Sequence, residues 1–307
     1  MKKNKVIVLI LSYNGKPLLE EAIESYLDND YKHFEVVVID NGSTDGTKEY
    51  VEKNWPGVKL LRTEVNLKYS GGFNFGLQYA FEEQNADYVL ITNNDVKADS
   101  RTISALVEAA QKADNIGFVT GKVYYYDQPL VLQTVGKSAD PVYWRGGHIG
   151  NKVEDHGQFD REGELAWCDD IFWLVKRELY EKTGGYDTEF QFQAEDFDWQ
   201  VRAKKAGYKI FYAPKAKIWH KESMTIGKSS AFKTYYDARN PLIVHLKHRS
   251  PTEVRPIMHR QLNALFWSSA KNLVKLKWAY LSANWRGFLS ALSWGLKNRK
   301  ITLKHFI

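Results

Sequence analysis

Four short apolar runs recur through about the first 95 residues: Val6–Leu11, Phe34–Ile39, Val58–Arg62 and Tyr88–Thr92. The second, FEVVVI, is nearly continuous in β-branched residues, as a strand buried on both faces of a parallel sheet requires. Segments with helical spacing separate the runs. Pro17–Leu27 carries its proline near the first turn. A second helix begins near Thr47 with Ser43 or Asp45 available to cap it, and a third covers Leu77–Gln84. A β-α-β-α-β-α-β rhythm of this kind predicts one doubly wound, nucleotide-binding half.

Each run ends abruptly in polar residues. Ligands of open α/β sheets bind outside the carboxyl ends of the strands, so these endings are the candidate site. After the first run comes Ser12-Tyr13-Asn14-Gly15, after the second Asp40-Asn41-Gly42-Ser43-Thr44-Asp45, and after the fourth Asn93-Asn94-Asp95. Asp95 is a hard oxygen donor suited to Mg2+ or Mn2+ that also holds phosphate oxygens, although Asn and Asp equally suit an ordinary turn. The stretch Gly71-Gly72-Phe73-Asn74-Phe75-Gly76 lacks the spacing of a dinucleotide fingerprint. Read as a loop, its paired glycines either admit a phosphate or sugar close to the backbone or simply open a helix.

A chain of 307 residues can bury a sizeable core in one large domain or two modest ones. Its one cysteine, Cys168, excludes an intramolecular disulfide and reads as a small buried hydrophobe. The apolar run after MKKNK is too short for a secretory leader, and no stretch reaches the roughly 18 apolar residues of a spanning helix. The expected location is therefore cytoplasmic. The net charge of +6 is uneven: residues 253–307 hold ten Lys and Arg against one acid, Glu253, leaving −3 for the rest. A basic tail on an acidic body argues against a nucleic-acid enzyme.

Taken together, SYNG at 12–15, VVVIDNGSTDGT at 36–47, Asn66 followed by GGFNFG at 71–76, ITNNDV at 91–96 and the long stretch 174–220 ending in IWH resemble family 2 glycosyltransferases. The GGFN and IWH pieces are most similar to the rhamnosyl- and galactofuranosyl-transferring branch. The resemblance implies an α/β fold of the GT-A type with a mostly parallel central sheet, and an inverting reaction. Such a reaction needs a base for the acceptor hydroxyl and a cation for the departing diphosphate. By resemblance Asp196 is the base, beside Glu195, and Asp95 and His220 hold Mg2+ or Mn2+. A helix-start acid pair is the plainer reading of Glu195-Asp196. The nucleotide-sugar would meet Tyr13, Asn14, Asp40, Asn41, Asn66, Lys68, Gly71, Gly72, Asn74 and Asn94. Many relatives have a second metal aspartate and an arginine where this chain has Asn93 or Asn94 and Phe73. Its phosphate-neutralising charge must then come from metal, Lys68, Arg202 or backbone N–H groups. Cys168-Asp169-Asp170, flanked by Trp167 and Trp173, is expected to shape the sugar pocket, with Asp169 or Asp170 on sugar hydroxyls.

The organisation expected is a catalytic domain over 1–222, with a nucleotide half to about 98 and an acceptor half from 99, followed by a helical, basic and aromatic region over 223–307. In 260–300 tryptophans alternate with lysines and arginines, which suits the surface of an anionic membrane, placing the protein on its inner face. Helices docked on the catalytic domain, or a homodimer interface, are the alternatives. The expected activity is transfer of a sugar to a cell-surface polysaccharide or to a glycolipid precursor. dTDP-rhamnose is the first candidate donor, UDP-galactofuranose or another UDP-sugar the second. A nucleotidyltransferase of the same fold would open with a glycine-rich basic loop, which Ser12-Tyr13-Asn14-Gly15 is not. A non-catalytic glycan- or lipid-binding scaffold is the rival of another class.

Overall fold

The computed structural model describes residues 4–221 and 230–298. The expected boundary at 222/223 and the basic residues Arg299, Lys300 and Lys304 lie outside them. Strands β1 (Val6–Ser12), β2 (Phe34–Asp40), β3 (Lys59–Arg62) and β4 (Tyr88–Thr92) are parallel neighbours in the order 3-2-1-4. Helices α1 (Lys16–Leu27), α2 (Thr47–Asn54) and α3 (Lys68–Gln78) connect them. Alternate residues face opposite ways along a strand, and here both faces are buried. Ile7, Leu9, Val37 and Ile39 pack with Phe73 and Leu77 of α3, while Val6, Val8, Ile10 and Val38 pack with Leu19, Ile23 and Tyr26 of α1.

After β4 come β5 (Val96–Ala98), α4 (Thr102–Ala110), β6 (Ile116–Tyr125), β7 (Gln128–Thr134), the hairpin of β8 (Lys137–Asp140) and β9 (Trp144–His148), and the short β10 (Val153–Glu154) and β11 (Gly163–Leu165). β12 (Phe172–Lys176) inserts antiparallel between β4 and β6. Helix α5 (Arg177–Thr183) and helix α6 (Glu195–Lys205) then precede β13 (Lys209–His220), which runs parallel to β6 and antiparallel to β5. Three helices follow among the described residues: α7 (Ala231–His248), α8 (Pro251–Val274) and α9 (Trp278–Asn298).

One expectation changes. The GGFNFG stretch is not a loop: α3 begins at Lys68, and a π turn over Tyr79–Glu83 extends it. The glycines serve packing, because a Cβ on Gly72 would stand 2.6 Å from Leu11 Cδ1 and one on Gly76 would overlap Ile39 Cδ1. Strand β13 runs on to His220 through a bulge between Tyr212 and Lys217, which absorbs Pro214, a residue with no N–H to donate. The end of the described chain is a pair of helices, α8 and α9, parted where Leu276 turns left-handed at φ 52°.

The tail's first helix is part of the catalytic core. Leu242, Ile243 and Leu246 of α7 bury in the same cluster as Phe197 and Trp199 of α6. Asp198, wholly buried, receives Arg202 at 2.8 Å, Lys247 at 2.8 Å and His248 at 2.7 Å. Removing one partner from a buried ion group of this kind costs about 3–5 kcal/mol. Arg202, proposed for phosphate, also donates to the carbonyls of Thr183 and Gly185, so its guanidinium is engaged in holding α6.

Candidate active site

The end of β13 meets the turn between β4 and β5. Antiparallel pairing puts His220 opposite Val96, so its ring reaches the carboxylate of the preceding residue. His220 Nε2 lies 3.2 Å from Asp95 Oδ1, and both residues are buried. The other ring nitrogen, Nδ1, is 2.8 Å from Gln133 Oε1 on β7. An amide oxygen only accepts, so Nδ1 carries the hydrogen and Nε2 turns its other side to the carboxylate. Two acceptors facing each other need a proton or a cation between them. This donor set, one imidazole and one carboxylate with the imidazole fixed from behind, fits a divalent metal that would take its other ligands from phosphate and water. Among the described residues no group of three or more His, Cys, Asp or Glu could complete a metal cage.

The second centre is a group of carboxylates. Asn93 N–H donates to the Ile171 carbonyl at 3.1 Å, which brings Asp170, just before β12, to the end of β4. Tyr186 Oη donates to Asp170 Oδ2 at 2.9 Å, and the Tyr69 hydroxyl reaches the Asp170 carbonyl at 3.4 Å. Burial, and then the charge of Asp196, push the Asp170 carboxyl up to about 7. Burial and the charges of Asp170 and Asp196 raise Glu195 well above the carboxylate range too, and its Oε2 has no hydrogen-bond partner among the described residues. Like charges held close in a poorly solvated site favour shared protons. Asp196 Oδ2 instead receives Arg145 Nη1 at 2.6 Å, from the β8–β9 hairpin.

That hairpin is clamped at Trp144. Arg249 stacks on Trp144 at 3.9 Å and Trp167 Nε1 donates to the Trp144 carbonyl at 2.6 Å. Beside it, Lys137 at 2.5 Å and His148 at 3.1 Å outweigh the burial of Asp169 and hold its carboxyl well below the usual range. Asp169 is thus tied to the hairpin while Asp170 turns toward Asp196. Arg145, Gln133, Tyr69 and Tyr186 went unrecognised in the sequence. Only Gln133 left a signal, as an amide inside the strand-like run VLQTV.

The strand ends expected to meet a nucleotide lie on the same edge. Asn94 Nδ2 reaches Ser12 Oγ at 3.4 Å, and a Cβ on Gly15 would overlap that amide. Tyr13 is 43% exposed and Lys68 is exposed with φ 64°, so both are open to a ligand. Several others are engaged within the protein. Asp40 is fully buried, accepting from Ser43 N–H at 2.9 Å beside Arg62 at 3.1 Å. Asn41 bonds Asn66 Oδ1 at 3.1 Å, the Lys68 carbonyl at 3.0 Å and Leu67 N–H at 2.9 Å. Asn14 Oδ1 accepts from Thr44 N–H at 2.8 Å. Asn74 bonds both the N–H and the carbonyl of Tyr186 at 2.8 Å. Gly71 sits against Leu67, where an added Cβ would stand 2.9 Å from the leucine Cβ. These residues build the cradle; its open polar atoms are those of Tyr13, Asn94 and Lys68.

Residues 7–184 match the profile described as glycosyl transferase family 2. The chain belongs to that family. This glycosyltransferase is 26% identical, over 73% of its length and 78% of the other's, to the N-acetylglucosaminyl-diphospho-decaprenol L-rhamnosyltransferase of Mycobacterium tuberculosis. It is 24% identical, over 75% and 71%, to the GalNAc(5)-diNAcBac-PP-undecaprenol beta-1,3-glucosyltransferase of Campylobacter jejuni. Among solved structures, a mannosyltransferase of Pyrobaculum calidifontis in complex with GDP-Man and Mn2+ superposes with TM-score 0.54 at 20% identity, covering 95% of this chain and 76% of that one. GalNAc-T7 with UDP, GalNAc and Mn2+ gives 0.62 at 15%, covering 97% and 56%. The glycosyltransferase therefore has the GT-A fold, and the non-catalytic scaffold reading falls away.

Proposed function

We propose that this glycosyltransferase moves a sugar, with inversion, from a nucleotide-diphospho-sugar to a hydroxyl of a lipid-linked or polysaccharide precursor. dTDP-rhamnose is the first candidate donor and UDP-galactofuranose or another UDP-sugar the second. The observation that carries this reading is the gathering, at the carboxyl edge of one sheet, of the Asp95–His220 pair and the Asp170–Glu195–Asp196 cluster. Two relatives named for diphospho-polyprenol acceptors, one of them a rhamnosyltransferase, support the acceptor class and the donor order.

In the proposed mechanism, Asp95 and His220 would hold a divalent cation that neutralises charge on the departing nucleoside diphosphate. Tyr13 would face the base, Asn94 the ribose and Lys68 the phosphates, with Asp40, Asn41 and Asn66 holding the loops that present them. The acceptor hydroxyl gives its proton to Asp196 as its oxygen bonds the sugar's anomeric carbon and the bond to diphosphate breaks. Arg145 fixes one Asp196 oxygen at 2.6 Å, which orients the other toward the acceptor. Asp170 and Glu195, favouring their protonated forms, can donate to sugar hydroxyls without adding charge. The exposed turn between α8 and α9 would rest on the membrane that carries the acceptor, leaving the enzyme peripheral.

A thermal-shift panel of nucleotide sugars with Mn2+ or Mg2+ tests the donor, since selective binding to the folded state raises its stability. The expected result is a dTDP- or UDP-sugar that shifts Tm only with metal. Asp196→Asn should keep that shift and lose transfer; full transfer by this variant would remove Asp196 as the base.

A further inference from the structure

A groove of about 400 Å3 lies between the start of α7 and the start of α9, outside the residues assigned to donor, metal and base. Its walls are apolar and aromatic, from Phe232, Tyr235 and Tyr236 on one side and Ala279 and Ala283 on the other, with Arg286 as the one cation among the described lining residues. Small residues on α9 make it possible. Gly287 seats directly against the Tyr235 carbonyl, where an added Cβ would overlap, and Ala283 leaves a trough rather than a ridge.

The groove has two different ends. Because Gly287 is level with Tyr235, the Arg286 end lies level with Tyr235 and Tyr236. There Phe192 packs on Phe232 and Tyr236, with ring centroids 5.5 and 5.9 Å apart. Asn240 of α7 grips the same loop through the carbonyls of Phe192 and Gln193, at 2.7 and 2.9 Å. Four residues on is Asp196, at most about 14 Å of chain away. The Ala279 end opens toward the α8–α9 turn, where Val274, Leu276 and Trp278 are 84, 72 and 59% exposed. One end thus carries a cation beside the loop that leads to Asp196, and the other adjoins an apolar tip.

We propose that this groove binds the first isoprene units of a polyprenyl-diphosphate acceptor, with Arg286 on the lipid-proximal phosphate. The inference rests on the lipid-linked acceptor reading, and it adds where the lipid enters and which residues hold it. Apolar walls exclude water from the prenyl stem, while the guanidinium pairs with phosphate in the geometry it favours. The headgroup sugar would extend past Phe192 toward Asp196.

Farnesyl diphosphate, titrated calorimetrically into the full chain without donor, is the probe. Saturable binding is expected, weakened at least tenfold in Ala283→Trp, which fills the groove, and in Arg286→Glu. Inorganic diphosphate should bind at least tenfold more weakly than farnesyl diphosphate. Shifts of Tm by nucleotide sugar and Mn2+ should be unchanged in both variants. Ala279→Trp, at the exposed end, replaces Ala283→Trp should the latter lose helicity. Farnesyl diphosphate binding that ignores both a groove-filling variant and Arg286→Glu would overturn the assignment, as would no binding at all. If binding behaves as expected but no polyprenyl-linked sugar is ever glycosylated, the acceptor reading fails by itself, separately from the groove.

Discussion

A histidine that holds a metal needs its far nitrogen fixed by an acceptor, because that bond decides which ring nitrogen keeps its lone pair. In the proposed metal site Gln133 would do this for His220, whose Nδ1 lies 2.8 Å from its Oε1. Gln133→Leu is expected to weaken Mn2+ binding about 10–100-fold, while Gln133→Glu, still an acceptor, keeps most of it. Direct titration of Mn2+ decides this, and equal affinities in all three proteins would remove Gln133 from the role. Asp170 makes a prediction about pH. Its folded carboxyl, at about 7, binds its proton more tightly than the unfolded chain does. That stabilisation is complete below the ordinary carboxylate range and is lost as pH rises through the folded value. Asp170→Asn never loses it, so its Tm relative to the parent should improve between about pH 5 and about pH 8. A pH-independent difference in Tm would mean that Asp170 is not carrying the extra proton.

Helix α3 shows how an element can contradict its own residues. Glycine is a poor helix former, and three glycines within six residues read naturally as a loop. The helix forms because Gly72 and Gly76 let it lie directly on Leu11 and Ile39 of the sheet, burying Phe73 and Leu77. Gly76→Ala should therefore destabilise despite better propensity, by roughly 1–3 kcal/mol, because the added methyl must push Ile39 aside. A lower urea midpoint with unchanged slope would agree; an unchanged midpoint would show that α3 rides more loosely. β13 is the opposite case, where a bulge around Pro214 preserves the strand's direction and delivers His220 to Asp95.

At the scale of the whole molecule, the helical tail performs two tasks. Its inner part is structural: α7 shares the core with α6, and Arg249 holds the hairpin that carries Arg145. Its outer part is bare, with Trp267 and Val274 79 and 84% exposed beside Lys271, Lys275 and Lys277, all exposed. No described helix is long and apolar enough to cross a membrane. The chain is expected to sediment with anionic phospholipid vesicles at low salt. Each lysine near such a surface contributes about 1 kcal/mol, so reversing all three to Glu should abolish binding, and Trp267→Ala should weaken it. Sedimentation unaffected by the triple reversal, or none at low salt, would end the membrane-docking reading.

The sequence by itself determined the four parallel strands and their polar endings, because buried parallel strands need continuous β-branched runs and ligands gather where those runs stop. It also offered Asp95, His220 and Asp196 as candidates, through motifs that keep their spacing along the chain. Only the tertiary structure decided that Arg145, some fifty residues from Asp196, holds that acid, that Gln133 stands behind His220, and that Asn41 and Asn74 bind loops. Those pairings join residues far apart in the chain, and no local period or propensity encodes which of many polar side chains will meet once the sheet has closed.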